Sequence, residues 1–139
     1  MNEGRTVFAQ LLDCLPKYEF DKCVARYRGD FRVRSFSTYE QFLVMAFAQL
    51  TWRESLRDIE TCLRALGSKL YHSGIPRAVP RSTLADANER RDWRLFADLA
   101  QVLIQEACPL YAGEAFAFGV EEEEAASILQ TWRSYGPWE

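Results

Sequence analysis

Residues 37–67 read STYEQFLVMAFAQLTWRESLRDIETCLRALG, and this stretch decides the fold class. Ser37 and Glu40 make the Ser-x-x-Glu pattern of a capping box, in which two side chains satisfy backbone donors that a helix start leaves free. From there to about Thr51 the chain is apolar on most sides (Phe42, Leu43, Val44, Met45, Ala46, Phe47, Ala48, Leu50) and carries no charge after Glu40. A helix of that composition belongs in a core. After the short connection Trp52-Arg53-Glu54, Ser55 with Asp58 repeats the capping logic. Leu56, Ile59, Cys62, Leu63 and Leu66 then recur at helical spacing until Gly67, with Arg57, Glu60 and Arg64 on the outer face. Two capped helices joined so closely predict an all-α domain. Their spacing is that of a helix-turn-helix, which a generic helical hairpin shares.

Outward from this pair, Val7, Phe8, Leu11, Leu12 and Leu15 predict a helix over Thr6 to Leu15, with Thr6 as N-cap and Pro16 as stop. A weaker helix covers Glu19 to Arg26. It is followed by the loop Tyr27-Arg28-Gly29-Asp30 and a basic stretch, Phe31 to Phe36, that reads as extended, with a short strand as the alternative. On the other side, residues 68–80 contain Gly74, Pro76 and Pro80 and form a long connection that does not continue a helix. The next helix runs from Arg81 to near Arg91, with Ser82 or Thr83 as N-cap and Asp86 near the positive end of its dipole. A longer packing helix follows from Trp93 to Cys108, with Phe96, Leu99, Ala100, Leu103, Ile104 and Ala107 on one face and Pro109 as its stop. The reading is a compact all-α domain of about five to six helices.

With 139 residues, 48% of them hydrophobic and 27% charged, the chain suits one globular domain that needs no disulfide or structural metal. No run approaches the roughly 20 apolar residues of a membrane span, and MNEGRTVFAQ lacks the apolar stretch of a signal peptide. A cytoplasmic location without a membrane partner is expected. Cys14, Cys23, Cys62 and Cys108 are scattered, with only His72 to complement them, so no metal site is expected and the cysteines read as free, mostly buried thiols.

The net charge of −3 conceals an uneven distribution. Residues 119–139 carry five acids (Glu121 to Glu124 and Glu139) against Arg133, which leaves the body about neutral. Within the body, residues 17–34 hold six bases (Lys17, Lys22, Arg26, Arg28, Arg32, Arg34) against three acids, and residues 53–94 hold nine against six. Arginine dominates both clusters. Its planar guanidinium grips phosphate oxygens or a guanine edge with two parallel bonds, although solvated helix faces also collect arginine. The candidate DNA contacts are Arg53, Arg57 and Arg64 on the helix-turn-helix-like pair. The segment 81–94 adds Arg81, Ser82 and Thr83 for phosphates, Asn88 for an adenine edge, and Arg90, Arg91 and Arg94. Nucleotide-binding glycine loops, a nucleophile elbow and metal-binding histidine pairs are all lacking, and His72 sits beside Tyr71 with no supporting motif. Neither a catalytic centre nor a cofactor is expected.

The order FAQLL, then YRGDFRVRSFSTYEQFLVMAFAQLTWRESLRDIETCL, then PRSTLADANERRDWRLFADLAQ resembles the N-terminal domain of bacterial insertion-sequence transposases of the DDE class. The resemblance covers about residues 6–118 and is most recognisable in SLRDIE, at Ser55 to Glu60, and in RSTLADANERRDWR, at Arg81 to Arg94. It implies duplex DNA, transposon ends in particular, as the partner. It also implies a following ribonuclease-H-like catalytic domain, whose first strand is expected after Phe116-Ala117-Phe118. The chain instead continues GVEEEEAASILQTWRSYGPWE. The expected organisation is therefore a transposase-like helical domain, residues 1–118, without catalytic activity, and an acidic, aromatic tail, residues 119–139. In that tail Ile128, Leu129 and Trp132 suggest a short amphipathic helix. Two functions follow: a DNA-binding module, or a protein-interaction or inhibitor protein whose tail contacts full-length transposase or another protein.

Overall fold

The computed structural model describes residues 6–111, and among these there are six α-helices and no strand. They are α1 (Val7–Leu11), α2 (Lys17–Arg26), α3 (Thr38–Leu50), α4 (Leu56–Leu66), α5 (Arg81–Arg90) and α6 (Arg94–Ala107), with short 3-10 turns after α1, α4 and α6. The all-α expectation holds. The described residues form a unit up to Leu103, and a second unit begins at Ile104, of which the last turn of α6 and the 3-10 turn Cys108–Tyr111 are described. The expected boundary at residue 118 and the acidic tail lie outside the described residues.

The helix starts that the sequence marks most strongly are capped as expected. Ser37 Oγ accepts from the Glu40 N–H (3.1 Å) while the Glu40 carboxylate accepts from the Ser37 N–H (2.9 Å), closing the capping box at α3. Ser55 accepts from the Asp58 N–H at α4, and Thr6 from the Ala9 N–H at α1. Such caps contribute about 1 kcal/mol each. The start of α5 differs from expectation. Pro80 occupies the N-cap position without a side-chain bond, so Ser82 and Thr83 fall inside the first turn rather than before it. A prolyl residue in extended conformation sets this entry by geometry, because its φ is already fixed.

Two buried clusters make the core, and α3 serves both. In the first, Leu43, Val44, Phe47 and Ala48 of α3 pack with Phe8, Phe36, Ile59, Leu63, Leu84 and Ala87. The long connection after α4 joins this cluster through Leu70, Ile75 and Val79. In the second, Phe20 and Cys23 of α2 meet Leu95 and Leu99 of α6, with Tyr39 and Phe42 of α3 packed against them. The α2–α6 contact is also polar: Asp98 accepts from Arg26 (2.5 Å) and from the Tyr27 hydroxyl (2.9 Å).

Three further expectations are corrected. Residues 31–36 form turns and bends, not a strand: the Phe31 and Val33 N–H groups donate back to Arg28 O and Asp30 O, Ser35 O and Phe36 O accept from arginine side chains, and no strand is present among the described residues. The packing face of α6 centres on Leu95 and Leu99, and Ala100 is exposed. The cysteines are free, but Cys14 and Cys108 are exposed and Cys62 is half-buried. Only Cys23 is buried, and that burial pushes its thiol pKa up.

Candidate functional site

The chain leaves α2 through a Schellman arrangement: the Gly29 N–H donates to Val24 O (2.9 Å) and the Arg28 N–H to Ala25 O (3.3 Å). The residue after the C-cap then adopts the left-handed conformation, and glycine usually fills that place. Here it is Arg28, at φ +52°, and Arg32 repeats the conformation at φ +58°. A side chain in this region costs roughly 1–2 kcal/mol, because Cβ crowds the following carbonyl oxygen. The two turns flank Phe31, which is 56% exposed. The guanidinium carbons of Arg28 and Arg32 lie 4.1 and 5.1 Å from the ring centroid, within cation–π range.

Three fastenings hold this segment. Asp30 Oδ1 accepts from the Thr38 N–H (2.7 Å) and the Thr38 hydroxyl (2.9 Å), tying the loop to a donor that the start of α3 would otherwise leave free. Arg77 donates to the Ser35 carbonyl, and the same guanidinium nitrogen lies 3.8 Å from the Glu40 carboxylate. Arg91 then reaches in from beyond α5. Its Nε donates to Gly29 O (3.3 Å), one terminal nitrogen to Gln41 Oε1 (2.8 Å) and the other to Phe36 O. The Arg91 side chain is 7% exposed; burial lowers its pKa, and the nearby carboxylates of Asp30 and Glu40 oppose that shift. Gly29 completes the seat, since a Cβ there would stand 2.7 Å from Thr38 Oγ1 and 2.8 Å from Leu95 Cδ1.

Between this segment and α5 lies a cleft of about 740 Å³. Arg28, Arg32 and Arg34 line one wall, and Thr83, Ala87 and Arg90 of α5 line the other, with Arg91 in the lining as well. The carboxylates in the lining are Asp86 and Asp92. The Arg90 side chain is 80% exposed and lies 3.9 Å from Asp86. Arg28, Arg32 and Arg34 have no carboxylate partner among the described residues. Members of both basic clusters, Arg28, Arg32 and Arg34 from the first and Arg90 and Arg91 from the second, thus line one recess, and the three from the first are without a carboxylate partner there. Such a recess raises the local concentration of anions.

The sequence-predicted residues divide between this cleft and other surfaces. Thr83, Arg90 and Arg91 line the cleft, but Arg91 is held from within by its three acceptors. The Asn88 carbonyl is taken by Gln41 Nε2 (2.6 Å) and its amide nitrogen faces Met45 Sδ at 3.9 Å, so its amide serves the fold. Arg81, Ser82 and Arg94 are exposed and outside the cleft lining. On α4, Arg57 is exposed and Arg64 pairs with Glu60 at 2.8 Å. Arg53 is half-buried, 3.7 Å from Asp58, and its Nε is enclosed without a hydrogen-bond partner. Arg28, Arg32 and Arg34 count in the sequence as part of a basic cluster but are not among the expected contacts, and neither is Phe31. The available signal was an aromatic residue set among three arginines in a loop. Among the described residues no group of histidine, cysteine and carboxylate side chains is placed to hold a metal ion. No described helix is long and apolar enough to cross a membrane.

No curated protein and no solved structure matches the chain. A family model does match, over residues 3–76. That span contains α1 to α4 and the arginine segment, whereas the α5 wall of the cleft lies beyond it. The match takes in more than half of the 139 residues, so the chain belongs to the family described as Domain of unknown function (DUF4372).

Proposed function

We propose that this protein is a DNA-binding module that engages duplex DNA through the arginine-lined cleft without performing chemistry on it. The resemblance to insertion-sequence transposases makes transposon ends the expected target. The observation that carries this reading is the convergence of Arg28, Arg32, Arg34 and Arg90 on one recess, with Arg91 and Arg77 bracing the segment that presents them. Guanidiniums held in this way neutralise backbone phosphates and release condensed counterions, a term independent of base sequence.

Fluorescence anisotropy with labelled transposon-end and scrambled duplexes, each titrated over a range of salt concentrations, tests the proposal. Binding should weaken linearly in log–log form with salt, and the double substitution R32A/R90A should make that slope shallower by about 2, near 0.9 for each lost phosphate contact. The absence of salt-sensitive binding to any duplex would overturn the reading. The weight would then move to protein interaction through residues 119–139.

A further inference from the structure

The phosphate-binding reading leaves Phe31 unused. It stands among the arginines of the cleft, 56% exposed, between the left-handed residues Arg28 and Arg32. A phosphate clamp needs no aromatic face. An intact duplex offers an aromatic ring base edges and thymine methyl groups, and a base face only where a step is pried apart, because the faces stay stacked on one another. An unpaired nucleotide does offer a free base face, and aromatic side chains in positively charged grooves are the usual platforms for such bases.

We infer that the cleft receives unpaired nucleotides of a DNA strand at the margin of a duplex, with Phe31 stacking on a base while Arg28 and Arg32 take the flanking phosphates. The inference rests on the proposed DNA binding and narrows its substrate class. In the free protein both guanidiniums lie on the Phe31 ring, at 4.1 and 5.1 Å. Phosphate oxygens draw them off as charge-assisted partners, and the vacated ring face becomes available to a base. The recess has the right scale: about 740 Å³ falls within the range of sites that enclose a small organic ligand, and is enough for a base with its sugar. Arg34 and Arg90 continue the cationic lining on both walls, where the adjoining backbone would run.

The test compares three labelled DNAs of one sequence with the full chain: a blunt duplex, the same duplex with a three-nucleotide overhang, and the single strand. The overhang duplex should bind at least fivefold more tightly than the blunt one. F31L should abolish that preference while leaving blunt-duplex affinity within twofold, and F31Y should restore it. A 2-aminopurine placed in the overhang should be quenched on binding wild-type protein and F31Y, but not F31L. Equal affinity for blunt and overhang duplexes overturns the inference while leaving the DNA-binding reading intact. An equal loss for both DNAs in F31L also overturns it, because the ring would then serve only to order the arginines. Failure to bind any of the three DNAs removes both readings together.

Discussion

Two helix ends in this molecule share one backbone motif and put it to different use. At the end of α3 the Arg53 N–H donates to Ala48 O (2.9 Å) and the Trp52 N–H to Gln49 O (3.3 Å), repeating the pattern by which α2 ends at Tyr27. Trp52 sits at φ +58° and is 89% exposed, just as Arg28 occupies a left-handed position better suited to glycine. Beyond these turns the two segments part ways. Behind Arg28 the chain is locked by Gly29, Asp30 and the Arg91 fork, whereas behind Trp52 it runs through Arg53 and Glu54 into α4 with no comparable fastening among the described residues. Left-handed strain alone therefore does not mark a functional position. Several independent anchors beside the strain are what set the Arg28 turn apart, because they hold the strained residues in one geometry.

The largest expected effect comes from removing the fork. Arg91→Ala leaves the Gly29 and Phe36 carbonyls and Gln41 without their charged donor and should cost about 3 kcal/mol, read as a lower urea midpoint. Arg91→Lys should recover less than half of that, because an ammonium does not reproduce the planar spread of three bonds. Gly29→Ala comes next, at about 2 kcal/mol, the usual cost of forcing a methyl group into a filled space. An unchanged midpoint would show that Leu95 and Thr38 yield freely, and that the anchored end is no tighter than the other. The smallest effect separates the two ends most sharply. Arg28→Gly and Trp52→Gly should each raise stability by about 0.5–1 kcal/mol, as relief of the left-handed strain outweighs the added freedom of the unfolded chain. Only Arg28→Gly should weaken DNA binding. Equal loss of affinity in both variants would erase the distinction drawn between the two turns.

What was legible in the sequence is what short-range chemistry writes down. The Ser37–Glu40 box, the Ser55 cap and the uncharged run of α3 all express the needs of a helix within a few residues of one another, so they could be read directly. Phe31 to Phe36 could not, because whether a basic stretch extends or turns depends on partners as distant as Arg77 and Arg91. The same limit governs the site. Both arginine clusters were visible as charge, but the division of labour among them was not: Arg91 looks like a DNA contact until its acceptors are known, and Asn88 looks available until Gln41 is placed beside it. Leu95 was missed as the centre of the α6 face because the i, i+4 pattern from Phe96 to Ala107 also fits a stripe one position away, and only α2 decides between them.

The sharing of α3 between two cores bears on how the chain acquires its structure during synthesis. The second core joins Phe20 and Cys23 to Leu95 and Leu99, and its polar rim joins Arg26 to Asp98, so its partners lie about 70 residues apart. A ribosome releasing the chain from its N-terminus delivers α1 to α4 well before α6, and in that interval the apolar face of α2 has Tyr39 and Phe42 of α3 to cover it but not Leu95 and Leu99. The growing polypeptide can begin to collapse around α3, but the second core closes only when α6 arrives. Closing so long a loop is an entropic cost that the local helices do not bear. The arginine segment is fastened by Arg77 and Arg91, so its full set of bonds is available only after the chain has been made past α5.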